Sequence, residues 1–346
     1  MRQSRRDRRD WRVFLWVSVV SAIVSAYFGV QVMPLRSTVP LGIFIGVLTS
    51  LLIATPLTWL ELRGERTEVM RRLRRLPLAL YFAVKVVIYL VVIVTGLLIQ
   101  RLITMPLTDM PIVFDDEFRQ SMVFAVIMSV AVNLVFEIGF LLGFGTLKNL
   151  LIGRYVQPKR EQRVFLLMDM RDSTGVAERL GPVLFHELLN DFFRDIAYAA
   201  IECEAEIYKY VGDEAILTWT SEQAVADGAC LACPFLVRDR IEANRRHYLD
   251  RYGLVPAFRA ALHYGEIVTG EIGDLRREIA YVGDTLNVAA RLLDSAKTLE
   301  KDVLVSNDLL DHSQLPAELA AEPLPTLTVR GRVAPLGISA LEPAPA

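Results

Sequence analysis

Residues 163–174 read Arg-Val-Phe-Leu-Leu-Met-Asp-Met-Arg-Asp-Ser-Thr, and this stretch decides the fold of the C-terminal half. Val164 to Met168 is an unbroken apolar run, too short for a helix, and predicts a strand buried on both faces. Asp169 closes it with a carboxylate where burial penalises an uncompensated charge. A helical pattern follows from Thr174 to Cys203, broken by Gly181-Pro182. Glu206 to Val211 and Ala215 to Thr220 read as strands joined at Gly212-Asp213, a hairpin whose glycine supplies a positive φ. Glu222 to Tyr252 reads as helical, and Pro256 to His263 with Glu266 to Gly273 as a second hairpin. Asp284 is the expected N-cap of a helix running to about Thr298. Short strands near Val303 and from Thr326 to Ala340 complete the pattern. The order β-α-β-β-α-β describes a ferredoxin-like core of the α+β class. A fold of this kind names no function by itself.

Upstream the composition changes. Over 346 residues the chain is 53% hydrophobic, with a mean hydropathy of +0.36, too apolar for a purely soluble protein. Four stretches, 13–33, 41–60, 78–99 and 121–146, are long enough to span a bilayer, which needs about 20 apolar residues. The first has an apolar run longer than that of a signal peptide and no small-residue cleavage site, so it is expected to stay as an anchor. Arg2, Arg5, Arg6, Arg8, Arg9 and Arg12 precede it, and Arg63, Arg66, Arg71, Arg72, Arg74 and Arg75 fill the loop between the second and third stretches. The positive-inside rule places both segments in the cytoplasm, and Asp109, Asp115, Asp116 and Glu117 on the far side. An even number of spans leaves the C-terminal half cytoplasmic. The expected organisation is an all-α, four-helix transmembrane domain over 1–146, a linker over 147–162, the α+β domain over 163–341 and a tail over 342–346, in a multi-pass protein of the inner membrane. The outward loops are too short to fold as sensor domains.

Two charges lie within the spans, Lys85 and Glu137, at a similar depth of about 10 to 14 Å from the cytoplasmic edge. Either they pair, or Lys85 snorkels while Glu137 is protonated or faces Asn133. Four spans without symmetric, Gly/Pro-broken halves do not suit a transporter. The net charge of −2, from 38 basic and 40 acidic residues, gives no sign of nucleic-acid binding. Cys203, Cys230 and Cys233 are too few for a disulfide framework, and the C-x-x-C lacks a second pair or a histidine at zinc spacing, so all three read as buried residues.

The chemistry centres on two carboxylates. In a β-α-β-β-α-β topology the hairpin tip carrying Asp213 lies beside the end of the first strand, which carries Asp169. Two carboxylates brought together must share a proton or a cation, and oxygen ligands completed by phosphate oxygens suit Mg²⁺ or Mn²⁺. Taken singly, each Asp is an ordinary cap or turn residue. On the helix opened by Gly283-Asp284-Thr285, Asn287 and Arg291 share a face, with Leu286, Ala289, Ala290 and Leu293 opposite. A guanidinium there offers a fixed fork of donors to phosphate oxygens. Arg330 and Arg332 either add a cation for phosphates or form an exposed basic strand. No Walker-type phosphate loop occurs.

Three segments, Phe165 to Thr174, Lys209-Tyr-Val-Gly212-Asp213-Glu214 and Gly283-Asp-Thr-Leu-Asn287-Val-Ala-Ala-Arg291-Leu292, together resemble the motifs of the class III nucleotide cyclases. The resemblance runs from about Arg163 to Leu341. It implies that Asp169, Asp213 and the backbone carbonyl of Met170 hold two divalent metal ions, Mg²⁺ or Mn²⁺, per active site. It places Lys209 as the purine-selecting lysine, Asn287 as the ribose-orienting asparagine and Arg291 as the transition-state arginine, with Arg332 or else Arg330 on the terminal phosphates. Family members split these sets between two subunits, so the resemblance implies a head-to-tail homodimer acting on ATP as a membrane-anchored adenylate cyclase in signal transduction. Ala280 departs from the pattern: adenylate cyclases usually carry Asp, Thr or Ser there, and a methyl group cannot hydrogen-bond a base. Lys209 favours adenine, because guanylate cyclases carry an acidic residue at its position. A guanylate cyclase and a catalytically silent nucleotide-binding module are the alternatives. The four spans could also be a sensor whose output is the cyclase.

Overall fold

The computed structural model describes residues 5–32, 39–64, 67, 73, 76–108, 116–220, 222, 225–275, 277–328 and 335–344. The chain divides into two compact units, Met1–Leu142 and Gly143–Ala346.

The N-terminal unit is all helical: α1 (Arg5–Val32), α2 (Val39–Leu52), α3 (Ala54–Gly64), α4 (Leu78–Thr108) and α5 (Asp116–Leu142). Among the described residues four segments are long and apolar enough to cross a membrane: Asp10–Gln31, Val39–Gly64, Leu80–Pro106 and Phe118–Gly139. The second is two helices, because Pro56 has no N–H for the carbonyl of Leu52 and the chain turns at Ile53. The fourth ends as a helix at Leu142 rather than at 146, since Gly143 adopts φ +84°. Where α1 crosses α2, a Cβ on Gly46 would lie 2.1 Å from the carbonyl oxygen of Ser25, so only glycine permits this approach of two backbones.

Lys85 and Glu137 do pair, at 3.0 Å, and a third charge joins them: Lys85 Nζ is also 3.0 Å from Glu61 Oε2. Tyr81 donates to Glu137 at 3.2 Å and Tyr89 donates to Glu61. Asn133 donates to Tyr89 at 2.8 Å rather than to Glu137. Glu61 falls one residue past the expected end of the second span, which hid it from the sequence reading.

The C-terminal unit begins with α6 (Phe144–Leu151) and β1 (Lys159–Met170). Residues 147–162, expected as a linker, thus lie partly in these elements, and the carbonyl of Tyr155 accepts the N–H of Glu271 at 3.0 Å. Then follow α7 (Ser173–Leu180), α8 (Pro182–Glu202), β2 (Glu206–Val211), β3 (Glu214–Thr220), α9 (Ala229–Ala243), α10 (Arg245–Tyr252), β4 (Phe258–Ile272), β5 (Glu278–Val282) and α11 (Asp284–Thr298). The chain closes with β6 (Val303–Ser306), α12 (Asn307–Leu310), β7 (Leu319–Leu327) and β8 (Leu336–Pro343). The sheet runs β2-β3-β1-β4-β6-β8-β7, with β5 paired to β4. Its first four strands and their helices are the ferredoxin-like β-α-β-β-α-β unit.

β1 explains why its sequence lacks alternation. Val164, Leu166 and Met168 pack with Leu188, Phe192, Ile196 and Val237 on one face, while Phe165 and Leu167 pack with Val288, Ala289 and Leu292 on the other. Both faces are dry, so every residue is apolar. The three cysteines are buried and free, as expected.

Three expectations fail locally. The helix expected from Glu222 is interrupted: Glu222 and Val225 are helical, but Asp227 and Gly228 both take positive φ and α9 starts afresh at Ala229. The second hairpin is one unbroken strand: β4 pairs with β1 from Lys159↔Thr269 to Met170↔Phe258, and the hairpin it does make is with β5. Gly265, read as a turn residue, lies in mid-strand under α11, where a Cβ would meet Thr285 Oγ1 at 2.7 Å. Asp284 is the first residue of α11 and Gly283 its cap; no side chain caps the helix, while Thr285 Oγ1 donates to the Glu266 carbonyl at 2.5 Å. Gly265→Val should therefore push the N-terminus of α11 off the sheet and cost about 1–3 kcal/mol. A fall in the denaturant midpoint of the full chain measures it; an unchanged midpoint would show that the contact is soft.

Candidate active site

β1 delivers Asp169 at its end, opposite Glu214 of β3 and Arg259 of β4. The β2–β3 hairpin turns at Gly212, whose φ of +62° suits the first position of a tight hairpin loop, and sets Asp213 at the tip. The two carboxyl groups are close enough for Asp213 to bear on the ionisation of Asp169. Burial holds the Asp169 carboxyl above its ordinary range; Lys297 opposes this and Asp213 adds to it. Glu214 is pushed up to about 7, first by burial and then by Asp169, Asp213 and Asp294. Met170 follows, buried to 3% exposure and paired with Phe258.

The donor set is all oxygen and already attracts a cation: Lys297 Nζ lies 3.1 Å from Asp169 Oδ2. An ammonium standing in at this point fits a divalent metal site. Among the described residues no group of three or more His, Cys, Asp or Glu side chains is arranged to cage a metal.

α11 buries Thr285, Val288, Ala289, Leu292, Leu293 and Ala296. Ala290, expected on that face, is exposed, because the stripe runs through 285, 288, 289, 292, 293 and 296 rather than through 290. Asn287 is exposed and Arg291 half-buried. Asn287 stands ten residues before Lys297 on the same helix, about 15 Å along its axis. The ammonium at Asp169 is therefore at the far end of α11 from Asn287, with Arg291 between them in mid-helix.

Lys209 on β2 reaches the β5 strand, its Nζ 3.7 Å from Glu278 Oε1. Tyr208 and Tyr281, the neighbours of Lys209 and Ala280, meet edge to face with ring centres 4.5 Å apart. The two positions expected to select a base, Lys209 and Ala280, thus share one surface, and Ala280 is 6% exposed. Arg330 and Arg332 lie outside the described residues.

Four side chains at this site escaped the sequence reading: Glu214, Glu278, Asp294 and Lys297. Asp294 continues the Arg291 stripe at i+3 and Lys297 follows at the next i+3, a periodicity that was available. Glu278 is two residues before Ala280 on the same strand face.

Over 220 residues the chain is 40% identical to Adenylate cyclase 2 of Rhizobium meliloti, a match covering 64% of this chain and 61% of that protein. The chain is similar to adenylate cyclases. Adenylate cyclase 1 of the same organism is 28% identical over 185 residues, covering 52% of this chain and 27% of its own length. The chain thus spans less than two thirds of either relative. The crystal structure of the adenylyl cyclase CyaB from P. aeruginosa superposes with a TM-score of 0.48 at 18% identity, covering 55% of this chain and 97% of that one. No family model matches the chain. In the C-terminal unit Asp169 and Lys297 meet at one end of α11, and the exposed Asn287 lies toward the other.

Proposed function

We propose that the protein is a membrane-anchored adenylate cyclase converting ATP to 3′,5′-cyclic AMP and pyrophosphate. The observation that carries this reading is the proximity of Asp213 to Asp169, with a cation drawn to Asp169, in a chain 40% identical over 220 residues to a protein named adenylate cyclase. The O3′–Pα bond forms, the bond from Pα to the bridging oxygen of pyrophosphate breaks, and the 3′-hydroxyl proton is released.

Asp169, Asp213 and the Met170 carbonyl would hold two Mg²⁺ or Mn²⁺ ions, which when bound lower the hydroxyl pKa and clamp the transferring group. The chain's own part is placement and electrostatics. Lys209 donates to the purine ring, Asn287 orients the ribose, and Arg291 neutralises charge gathering on the α-phosphoryl oxygens. Arg332, or Arg330, would bind the terminal phosphates. Because α11 sets Asn287 about 15 Å from its own carboxylate end, a complete site takes the metal set from one chain and Asn287 with Arg291 from a second. Two chains facing head to tail form two equivalent sites. The four apolar helices hold the enzyme in the inner membrane, with its termini and catalytic unit in the cytoplasm, and are the place where a stimulus enters.

Purified full chain with Mn²⁺ should yield cyclic AMP and pyrophosphate in equal amounts, with kcat/KM for ATP at least about tenfold above that for GTP, the discrimination expected of a hydrogen-bonding pocket. One observation supports a guanylate cyclase instead: Glu278, beside Lys209, can accept from the N1–H and N2–H of guanine. A reversed ratio would establish that reading, and nucleotide binding without turnover would establish a silent module.

A further inference from the structure

We infer that Lys297 is a tethered counter-cation that occupies the carboxylate pair in the metal-free protein, gives way to a divalent ion, and so sets the metal affinity of the site. The inference rests on the metal-site reading proposed above and adds a residue to it.

Lys297 belongs to the last turn of α11, and its ammonium contacts Asp169 at 3.1 Å and Asp294 at 4.0 Å. Asp169 and Asp294 flank it, and Asp213 and Glu214 lie close enough to interact electrostatically with Asp169. One ammonium cannot neutralise that group, so the site still favours a dication. The same ammonium must be displaced before a dication can reach the Asp169 oxygen it holds, because two cations cannot share one carboxylate oxygen at contact distance without repulsion. The side chain is built to yield: it is half-exposed at 49%, and its four-carbon stem can swing the charge into water or toward Asp294 one helical turn away. Its neighbours on α11, Leu293 and Ala296, are buried and hold the backbone still, so the movement is confined to the side chain.

The test uses the full chain in detergent without nucleotide, titrated with Mn²⁺ and read by the electron paramagnetic resonance of the free ion. Lys297→Met should tighten Mn²⁺ binding by about tenfold, the effect of deleting one positive charge near a dication. Lys297→Arg, which keeps the charge, should stay within about twofold of the parent. Circular dichroism of each variant confirms that α11 is folded. A parent chain that binds Mn²⁺ with a Lys297→Met variant of equal or weaker affinity overturns the inference and leaves the metal site standing. Weaker binding of ATP in EDTA by Lys297→Met, with Mn²⁺ affinity unchanged, also overturns it and assigns the lysine to phosphate. No binding of Mn²⁺ to the parent chain overturns the metal reading and the inference with it.

Discussion

Chains carrying Asp169→Asn or Asp213→Asn should fold and yet lose cyclic AMP formation by at least about a thousandfold, since metal coordination supplies several kcal/mol of transition-state stabilisation. Stability should move the other way. Burial, with Asp213 adding to it, raises the Asp169 pKa in the folded chain, so its proton is favoured by folding. That contribution is present below the ordinary carboxylate range and is lost as pH rises through the folded value. An amide in its place removes the loss, and the metal-free variant should unfold at higher denaturant than the parent near pH 7. Product assay and denaturation on the same preparation check both signs; activity surviving both substitutions would end the metal assignment. The shared site gives a further check. Asp169→Asn and Arg291→Ala chains, each inactive alone, should regain about a quarter of parental activity when co-expressed in equal amounts, because half the dimers are mixed and each of those has one intact site. No recovery would mean that each chain builds its own site.

Where the sequence was legible, a single physical signal dominated. β1 could be read because burial on both faces leaves only apolar residues, and α7 and α8 because Gly181-Pro182 can only interrupt a helix. Asp169 and Asp213 stood out as carboxylates in places that penalise them, and the structure sets Asp213 near enough to raise the Asp169 pKa. The misreadings came from residues with two meanings. Gly265 looks like a turn, but its missing Cβ makes room for Thr285. Glu61 looks like the solvated end of a span, but it is 4% exposed beside Lys85. Lys297 is one of six lysines, and nothing local marks it, because its importance depends on which strand end α11 passes. Pair geometry of this kind arises from long-range packing, and no local pattern encodes it.

Arg163 is the strongest example of such a pairing, and its removal should destabilise the C-terminal unit by about 3–5 kcal/mol, the usual cost of stranding buried partners of a charge. Its side chain is 1% exposed. Nε donates to Glu161 at 2.9 Å, Nη1 to Glu206 at 3.3 Å and Nη2 to the Tyr155 hydroxyl at 2.9 Å, while the guanidinium lies 4.9 Å from the centre of the Tyr281 ring. Burial opposes the charge on Arg163, yet Tyr281, Glu206, Tyr155 and Glu161 outweigh it and hold the cation firmly. Glu161 responds in kind: burial would raise its carboxyl, but Arg163 and the hydroxyl of Thr269 bring it below the ordinary range. A depressed folded pKa gives stability that is present above the unfolded value and lost as pH falls through the folded one. Parent chain should therefore lose stability on acidification, and Arg163→Met should lose less, because its Glu161 no longer has the cation that made ionisation favourable. Arg163→Lys keeps the charge without the fork and should fall between the two. The consequence for the site is specific. Glu206 opens β2, which carries Lys209, and Tyr281 adjoins Ala280, so loosening this node should raise KM for the nucleotide before it lowers kcat. Denaturation across pH, paired with steady-state kinetics, tests both, and an Arg163→Met chain with unchanged midpoint and unchanged KM would show that the network is dispensable.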